Sequence, residues 1–225
     1  MFHNKTENNL WRMKVYNNMS LQNTIQEVKK RIDAIPRDDM KNILKFQFQT
    51  GTRLAEVLGK YAINKEDMTL TNYKGNNLVL FTIKTAKKKG KPRIVALPMS
   101  DPWTQDIVKV FQKCEKGRVF VKSDRSVETH ATEYFKGLTY PIEDYGLKPT
   151  TKVPNPKIPF VEEHDRQGVT HFLRHLRSTQ LTVENGFTEN DRAIFFGWFI
   201  KGMGKRYMYE FWLQWSSYID KLLKC

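Results

Sequence analysis

Two basic side chains near the C-terminal end of the sequence are spaced to meet one target. His171 and Arg174 are three residues apart, and residues three apart lie on the same face of a helix. Trp198, whose indole can only donate a hydrogen bond, and Tyr207, which carries a phenol, follow further along. A permanent cation, a titratable imidazole and a phenolic nucleophile suit a phosphodiester. The segment 168–207 therefore predicts chemistry on phosphate esters.

A second pair of residues with opposite charges lies in the N-terminal half. Arg53 and Glu56 are three residues apart in a short predicted helix, so the carboxylate can hold the guanidinium in place. A surface ion pair, worth less than about 1 kcal/mol, is the alternative, and the pair taken alone is more typical of it.

Several single residues keep two interpretations. Trp198 fits core packing as well as hydrogen-bond donation, and Tyr209 competes with Tyr207 for the role of nucleophile. His175 is more typical of a buried, hydrogen-bonded helix residue than of a catalyst.

The charge of the chain favours a polyanionic partner. Its 225 residues contain 38 Lys and Arg against 24 Asp and Glu, for a net charge of +14. Neutralising phosphates releases counterions and adds affinity, so nucleic acid is favoured over an acidic membrane or protein. In the predicted hairpin, Lys84 lies within a strand, whereas the remaining basic residues are expected to contact phosphates without base preference: Lys87, Lys88, Lys89, Lys91 and Arg93.

Several other chemistries lack their sequence signatures. There is no glycine-rich phosphate loop, no nucleophile elbow, and no carboxylate cluster with metal-ligand spacing. The two cysteines, Cys114 and Cys225, can form neither a disulfide framework nor a zinc site. No apolar run reaches the roughly 20 residues that span a bilayer, and residues 1–9 do not resemble the apolar region of a secretory signal. We expect a soluble intracellular protein without metal or cofactor.

Hydrophobic periodicity predicts a mainly α fold with a small three-stranded antiparallel β-sheet. Residues 1–20 are expected to form a flexible arm, and residues 21–225 one domain that includes a tail helix at 209–223. Asn76-Asn77 and residues 89–92 are the predicted turns of the sheet, and Thr170 and Thr188 the predicted helix N-caps. The predicted helices are 21–35, 38–50, 103–113, 126–145, 170–185 and 188–196; the strands are 68–71, 76–85 and 93–98; a loop covers 148–159.

Four short segments, taken together, resemble the tyrosine recombinase (phage integrase) family. Thr50-Gly-Thr-Arg53-Leu-Ala-Glu56 is similar to the first arginine box of that family, and Ile83-Lys84-Thr85 to its β-hairpin lysine. His171-Phe-Leu-Arg174 resembles its H-x-x-R box. Phe196-Gly-Trp198, followed nine residues later by Tyr207, resembles the box that ends in the nucleophile. The form of this last box is most similar to integrases of archaeal chromosomes, viruses and plasmids.

The resemblance implies a role for each matched residue. Arg53 and Arg174 would bind the non-bridging oxygens of the scissile phosphate, and Glu56 would brace Arg53. Lys84 would protonate the leaving 5′-oxygen, His171 would transfer a proton, and Trp198 would orient the phosphate. Tyr207 would form a 3′-phosphotyrosyl ester that conserves the bond energy, so that neither ATP nor a metal is needed.

The resemblance also implies a biological setting. A site-specific recombinase or integrase of double-stranded DNA is expected, acting in the cytoplasm or nucleoid of an archaeal or viral host cell. It would be a homo-tetramer on synapsed DNA and a monomer when free. Most members carry a helical core-binding domain ahead of the catalytic domain, whereas some twenty residues precede the first predicted helix here. Without a core-binding domain, the chain is expected to be either an excised catalytic domain or a naturally short form. Relaxation of DNA in the manner of a type IB topoisomerase, or an idle DNA-binding module, are the alternatives.

Overall fold

The computed structural model describes residues 21–86, 92–136, 138, 169–198 and 215–224, and within them it has a mixed α and β architecture. Helices surround one small antiparallel sheet, as the periodicity predicted. The helices are α1 (Leu21–Asp33), α2 (Asp38–Thr50), α3 (Leu54–Val57), α4 (Pro102–Lys113), α5 (Asp124–Tyr134), α6 (Val169–Val183), α7 (Glu189–Phe196) and α8 (Ser216–Leu222); the strands are β1 (Met68–Tyr73), β2 (Asn76–Lys84) and β3 (Pro92–Pro98).

The first two helices follow directly from their sequence pattern. On α1, Ile25, Val28 and Ile32 recur at helical spacing and are buried. On α2, two aspartates in the first turn face the positive end of the helix dipole. Gly51 ends α2 in the left-handed conformation, with φ of 59° and its N–H donated to the carbonyl of Phe48.

The sheet has the order β1-β2-β3, with both pairings antiparallel. The prediction that Asn76-Asn77 forms the first turn is wrong, because both residues pair with β1. The turn is made by Lys74 and Gly75, whose φ values of 50° and 82° are both positive. Such a two-residue turn matches the right-handed twist of the flanking strands, and glycine adopts it without steric cost.

An aromatic cluster joins the sheet to the helices on one side. Phe46 of α2 contacts Phe81 of β2 at a ring-centroid distance of 5.2 Å, and Phe111 of α4 lies 5.0 Å from Phe81. Phe120 completes the cluster, 5.5 Å from Phe46. Edge-to-face and tilted contacts of this kind fill the core and fix the position of α2 against β2.

The C-terminal helix α8 packs against β3. The buried hydroxyl of Tyr218 accepts a hydrogen bond from the N–H of Ala96 at 2.9 Å and donates to the carbonyl of Ile94 at 3.4 Å. Lys221 donates to a carboxylate oxygen of Asp191 in α7 at 2.5 Å. These bonds hold the end of the chain on the same core as the earlier elements.

Two predicted elements differ from the structure or extend beyond the described residues. The helix predicted at 126–145 begins earlier, at Asp124, because Ser123 caps it through the N–H of Ser126, and it ends at Tyr134. The arm 1–20, the loop 148–159 and the first part of the tail helix 209–223 lie outside the described residues. None of the helices in the described ranges has the length and apolar character to cross a bilayer.

Candidate active site

The turn between α2 and α3 places Arg53 and Glu56 together. Arg53 is the residue that precedes α3, and its backbone N–H donates to Oε2 of Glu56 at 3.0 Å. Its guanidinium donates through Nη1 to Oε1 of the same carboxylate at 2.9 Å. Glu56 is 0% exposed, so the pair is not the surface ion pair that the sequence also allowed. The carboxylate holds the guanidinium of Arg53 in a fixed position.

Glu56 binds groups from three separate parts of the fold. Besides Arg53, its Oε1 accepts a hydrogen bond from the N–H of Ala86, just after β2, at 3.2 Å. Its Oε2 lies 3.7 Å from Nη2 of Arg93 in β3. Burial opposes ionisation of Glu56, but Arg93, Arg174 and Arg53 together outweigh it and keep the pKa below its ordinary value. The carboxylate is therefore the common anion among several cations.

Arg174 of α6, which is far from Arg53 in sequence, belongs to the same centre. It is 2% exposed, and its guanidinium donates to the carbonyls of Gly51 and, at 2.8 Å, Phe196. Burial lowers the pKa of Arg174, and the neighbouring charges of Arg93 and Arg53 lower it further. An arginine nevertheless stays protonated in proteins. The structure thus brings the two arginines of the predicted boxes into one electrostatic site.

Trp198 adjoins this centre. Its ring stacks on Phe196 with a centroid distance of 4.9 Å and an angle of 19° between the planes. The guanidinium carbon of Arg174 lies 4.9 Å from the Phe196 ring and 5.8 Å from the Trp198 ring. Trp198 is 38% exposed, which is more than core packing alone requires. Trp198 therefore lies close to Arg174 and is partly exposed.

Arg93 was predicted among the phosphate contacts of the hairpin, and the structure corrects this. Its side chain is 2% exposed, so it is not on the surface of the hairpin. Both terminal nitrogens donate to the carbonyl of Thr50, at 3.4 and 3.3 Å, and Nη1 also donates to the carbonyl of Phe195. Arg93 lies within a strand that is buried along most of its length. Lys84 was distinguished from the other basic residues of the hairpin because it lies within a strand, and the same reason applies to Arg93.

The remaining described candidates lie on elements that border the site. Lys84 is the last residue of β2 and is half-buried, two residues before Ala86. His171 is half-buried on α6, one turn before Arg174, and its ring lies 4.9 Å from that of His175. His175 is half-buried as well, rather than fully enclosed.

Thr170 does not cap α6 from outside, as the sequence suggested, but lies in its first turn. Its hydroxyl donates to Oε1 of Glu128 in α5 at 2.5 Å, and its N–H donates to Oε2 at 3.3 Å. A carboxylate from another helix therefore satisfies the first turn of α6, where the helix dipole favours negative charge. This contact orients the helix that carries His171 and Arg174.

Five residues of the predicted site lie outside the described residues. They are Tyr207, Lys87, Lys88, Lys89 and Lys91, and the rival nucleophile Tyr209 lies outside them as well.

The charge of the site is unbalanced. In the part of the chain that is described, Arg53 and Arg93 lie within ion-pair distance of Glu56, and the charge of Arg174 acts on the same carboxylate, so three positive charges stand against one negative charge. Nε of Arg53 and Nε of Arg93 are buried and have no acceptor among the described residues. Buried cations in excess are costly unless an anion compensates them. The arrangement is suited to binding an anion with several oxygen acceptors, such as a phosphate.

Across the described ranges, no group of three or more His, Cys, Asp or Glu side chains could hold a metal ion.

Comparisons with protein-family models, with curated proteins and with solved structures found no match.

Proposed function

We propose that this chain is a DNA strand transferase of the tyrosine recombinase type, with the catalytic-domain fold of that family. The observation that carries the proposal is that Arg53 and Arg174, which are far apart in sequence, both act on the buried carboxylate of Glu56: Arg53 as an ion pair and Arg174 through its charge. Planar, permanently charged guanidinium forks suit the non-bridging oxygens of a phosphodiester. The basic composition, with a net charge of +14, suits the DNA backbone.

In the proposed reaction, the hydroxyl oxygen of Tyr207 attacks the scissile phosphorus and forms a 3′-phosphotyrosyl bond, while the bond to the 5′-oxygen breaks. Arg53 and Arg174 stabilise the charge that develops on the non-bridging oxygens. His171 accepts the phenolic proton and Lys84 supplies a proton to the leaving 5′-oxygen. Attack by the 5′-hydroxyl of a partner strand reverses these steps and rejoins the DNA in the nucleoid.

Trp198 contributes through its indole N–H. Trp198 is partly exposed and its ring lies 5.8 Å from the guanidinium carbon of Arg174. Its indole N–H would donate a hydrogen bond to a phosphate oxygen, because an indole has a donor and no acceptor. Trp198→Phe should therefore slow cleavage without changing the proton transfers.

The test is the capture of a covalent intermediate. The protein is incubated with a pool of duplexes whose central sequence is randomised, and the mixture is then denatured in SDS. Each duplex carries a nick, so that the short fragment with the free 5′-hydroxyl diffuses away after cleavage. We expect a DNA adduct that resists SDS, whose sequences define the recombination site. Tyr207→Phe should abolish the adduct and Tyr209→Phe should retain it. Arg53→Ala and Arg174→Ala should each reduce its rate of formation about 10²–10³-fold.

Lys84 has its own assay on the recovered site. A substrate with sulfur in place of the leaving 5′-oxygen releases a thiolate, which needs no proton from an acid. Lys84→Ala should therefore cleave the normal substrate slowly and the sulfur substrate at close to the wild-type rate.

Three outcomes would contradict the proposal. An adduct that persists in Tyr207→Phe rules out this nucleophile. Relaxation of supercoiled plasmids that lack the recovered site would indicate a topoisomerase-like activity instead. No adduct with the wild-type protein, despite DNA binding, would indicate a binding module without catalysis.

A further inference from the structure

Arg93 lies at the point where the elements of the site meet. Its Nη1 donates to the carbonyl of Phe195 at the end of α7, and both Nη atoms donate to the carbonyl of Thr50 at the end of α2. Its Nη2 is also 3.7 Å from Oε2 of Glu56. One fully buried side chain therefore joins two helix ends to the carboxylate that holds Arg53.

Arg174 makes the same kind of bridge one residue further along each helix end. It donates to the carbonyls of Gly51 and Phe196, which directly follow the two carbonyls that Arg93 binds. The C-terminal ends of α2 and α7 carry partial negative charge and unpaired carbonyls. Two neighbouring arginines satisfy them as a pair, so the position of Arg174 depends on the position of Arg93.

The charge of Arg93 matters because Glu56 has a single negative charge to share. With Arg53 and Arg174 alone, the carboxylate would cancel half of the positive charge available to a substrate. Arg93 compensates Glu56 from the buried side, at Oε2, while Arg53 binds Oε1 through its Nη1. A phosphodiester carries one negative charge, and the pentacoordinate transition state of its cleavage carries more, so the surplus of cations favours the transition state.

We propose that Arg93 is a positioning residue of the phosphate site: it compensates Glu56 and fixes the ends of α2 and α7, and thereby leaves the charges of Arg53 and Arg174 to the substrate. Arg93 acts through Glu56 and the two helix ends, because both of its terminal nitrogens are bound to these groups. For its substrate, this inference rests on the proposed function.

The first experiment compares Arg93→Met and Arg93→Lys with the control Arg177→Met on the recovered recombination site. Arg177 is also a buried arginine, on α6, but it contacts Gln180 and the Phe48 ring. We expect Arg93→Met to slow adduct formation at saturating DNA about 100-fold, the typical effect of losing preorganised charge. Its dissociation constant for DNA should stay within about threefold of wild type, because many phosphate contacts share the affinity.

The conservative and control variants should differ from Arg93→Met. Arg93→Lys keeps the charge but loses the planar fork and should fall between wild type and Arg93→Met. Arg177→Met should leave the rate of adduct formation within about threefold of wild type, because Arg177 contacts Gln180 and the Phe48 ring.

A double variant separates charge compensation from a structural role. If Arg93 acts by compensating Glu56, then Glu56→Gln introduced into Arg93→Met removes the uncompensated charge and should restore the rate at least about tenfold. A role limited to holding the helix ends predicts no recovery. The inference would be overturned if a folded Arg93→Met protein formed the adduct at the wild-type rate. It would also be overturned if the single and double variants lost the same fraction of that rate.

Inorganic phosphate tests the site without DNA. Phosphate should raise the unfolding temperature of the wild-type protein, and Arg93→Met should bind it at least about tenfold more weakly while Arg177→Met binds it normally. Where Arg93→Met does not unfold cooperatively, Arg93→Lys replaces it, with a smaller loss expected. Wild-type protein that forms no adduct would contradict the proposed function alone. Equal phosphate affinity in wild type and Arg93 variants, or no phosphate binding by wild type, would contradict the inference.

Discussion

At the scale of single residues, the site depends on the buried carboxylate of Glu56. Arg53 and Arg93 lie within ion-pair distance of it, and the burial of Glu56 and Arg93 limits the screening of these contacts by water. Removing one partner of a buried charge cluster leaves the others uncompensated. This costs far more than losing a surface pair.

Glu56→Ala should therefore destabilise the protein by about 3–5 kcal/mol at neutral pH, because it leaves buried cations without an anion. Urea-induced unfolding measures this change. The matched control is Glu27→Ala, which removes an i,i+4 pair with Arg31 at 2.7 Å whose side chains are both part-exposed. The control should lose less than about 1 kcal/mol of unfolding free energy. An equal loss in both variants would show that the buried ion pairs of Glu56 contribute no more to stability than a part-exposed pair.

The same residue gives the protein an acid limit. The pKa of Glu56 in the folded protein is below its ordinary value of 4.5, because the arginines outweigh the effect of burial. Its ionised form therefore stabilises the fold above the unfolded pKa, and this contribution is lost as the pH falls through the folded pKa. The difference in unfolding free energy between wild type and Glu56→Gln should shrink as the pH is lowered below about 4.5.

At the scale of elements, the site lies where the ends of α2 and α7 approach each other. Gly51 has a φ of 59°, and a Cβ atom built on it would overlap the ring of Phe196. Gly197, with φ of 66°, leaves room for Cδ of Arg93, which lies 2.8 Å from the Cβ position. Both helix ends need glycine for the backbone conformation and for the close packing that brings the arginines together.

Gly51→Ala should separate the two helix ends. The left-handed conformation alone costs an alanine about 1–2 kcal/mol, and the overlap with Phe196 adds to this cost. Gly186→Ala is the control, because Gly186 has a φ of 64° and open space around its Cβ position. Thermal unfolding should show the larger loss for Gly51→Ala, together with weaker phosphate binding. Equal losses would mean that Phe196 moves aside without cost.

The sequence predicted the elements well, and some of the contacts between them. The helical spacing of Ile25, Val28 and Ile32 predicted α1, and the three-residue spacing of Arg53 and Glu56 predicted their pairing. Local patterns are sufficient for such features, because the interacting groups are close in sequence.

The role of Arg93 could not be predicted in the same way. Its acceptor on Phe195 is 102 residues away, and the acceptor of Arg174 on Gly51 is 123 residues away. Both acceptors are backbone carbonyls, which every residue has, so side-chain identity carries no signal for them. The burial of an arginine within a strand becomes evident only once the packing of β3 is known.

At the scale of the whole molecule, α8 returns the end of the chain to the central sheet. Tyr218 is buried among Phe187 and Phe195, at ring-centroid distances of 5.4 Å from each, and its hydroxyl binds the backbone of β3. Phe195 precedes the residues that pack around Arg174. The anchoring of the C-terminal helix and the order of the site are thus connected through one aromatic cluster.

Tyr218→Phe should lose about 1–3 kcal/mol of stability at neutral pH, because the buried N–H of Ala96 loses its acceptor. Burial raises the pKa of Tyr218 above its ordinary value of 10.0. Its neutral form therefore stabilises the fold below that pH, and the contribution is lost as the pH rises. The stability gap between wild type and variant should narrow above about pH 10 in urea titrations.

Tyr61→Phe serves as the control for this prediction. Tyr61 is half-buried beneath Lys60, and its substitution should change the stability by no more than about 0.5 kcal/mol. A stability gap for Tyr218→Phe that stays constant from neutral to strongly alkaline pH would contradict the assignment of the buried phenol.

The carbonyls that bind Arg93 and Arg174 belong to the main chain at Thr50, Gly51, Phe195 and Phe196. Replacing the side chains of these residues leaves the oxygen atoms in place. An alanine scan would report only how the two rings and the hydroxyl pack, and would miss the acceptors that align the guanidiniums. Exchange of these amides for esters, which weakens the oxygen as an acceptor while sparing the side chain, is the chemical change to which the site should be sensitive.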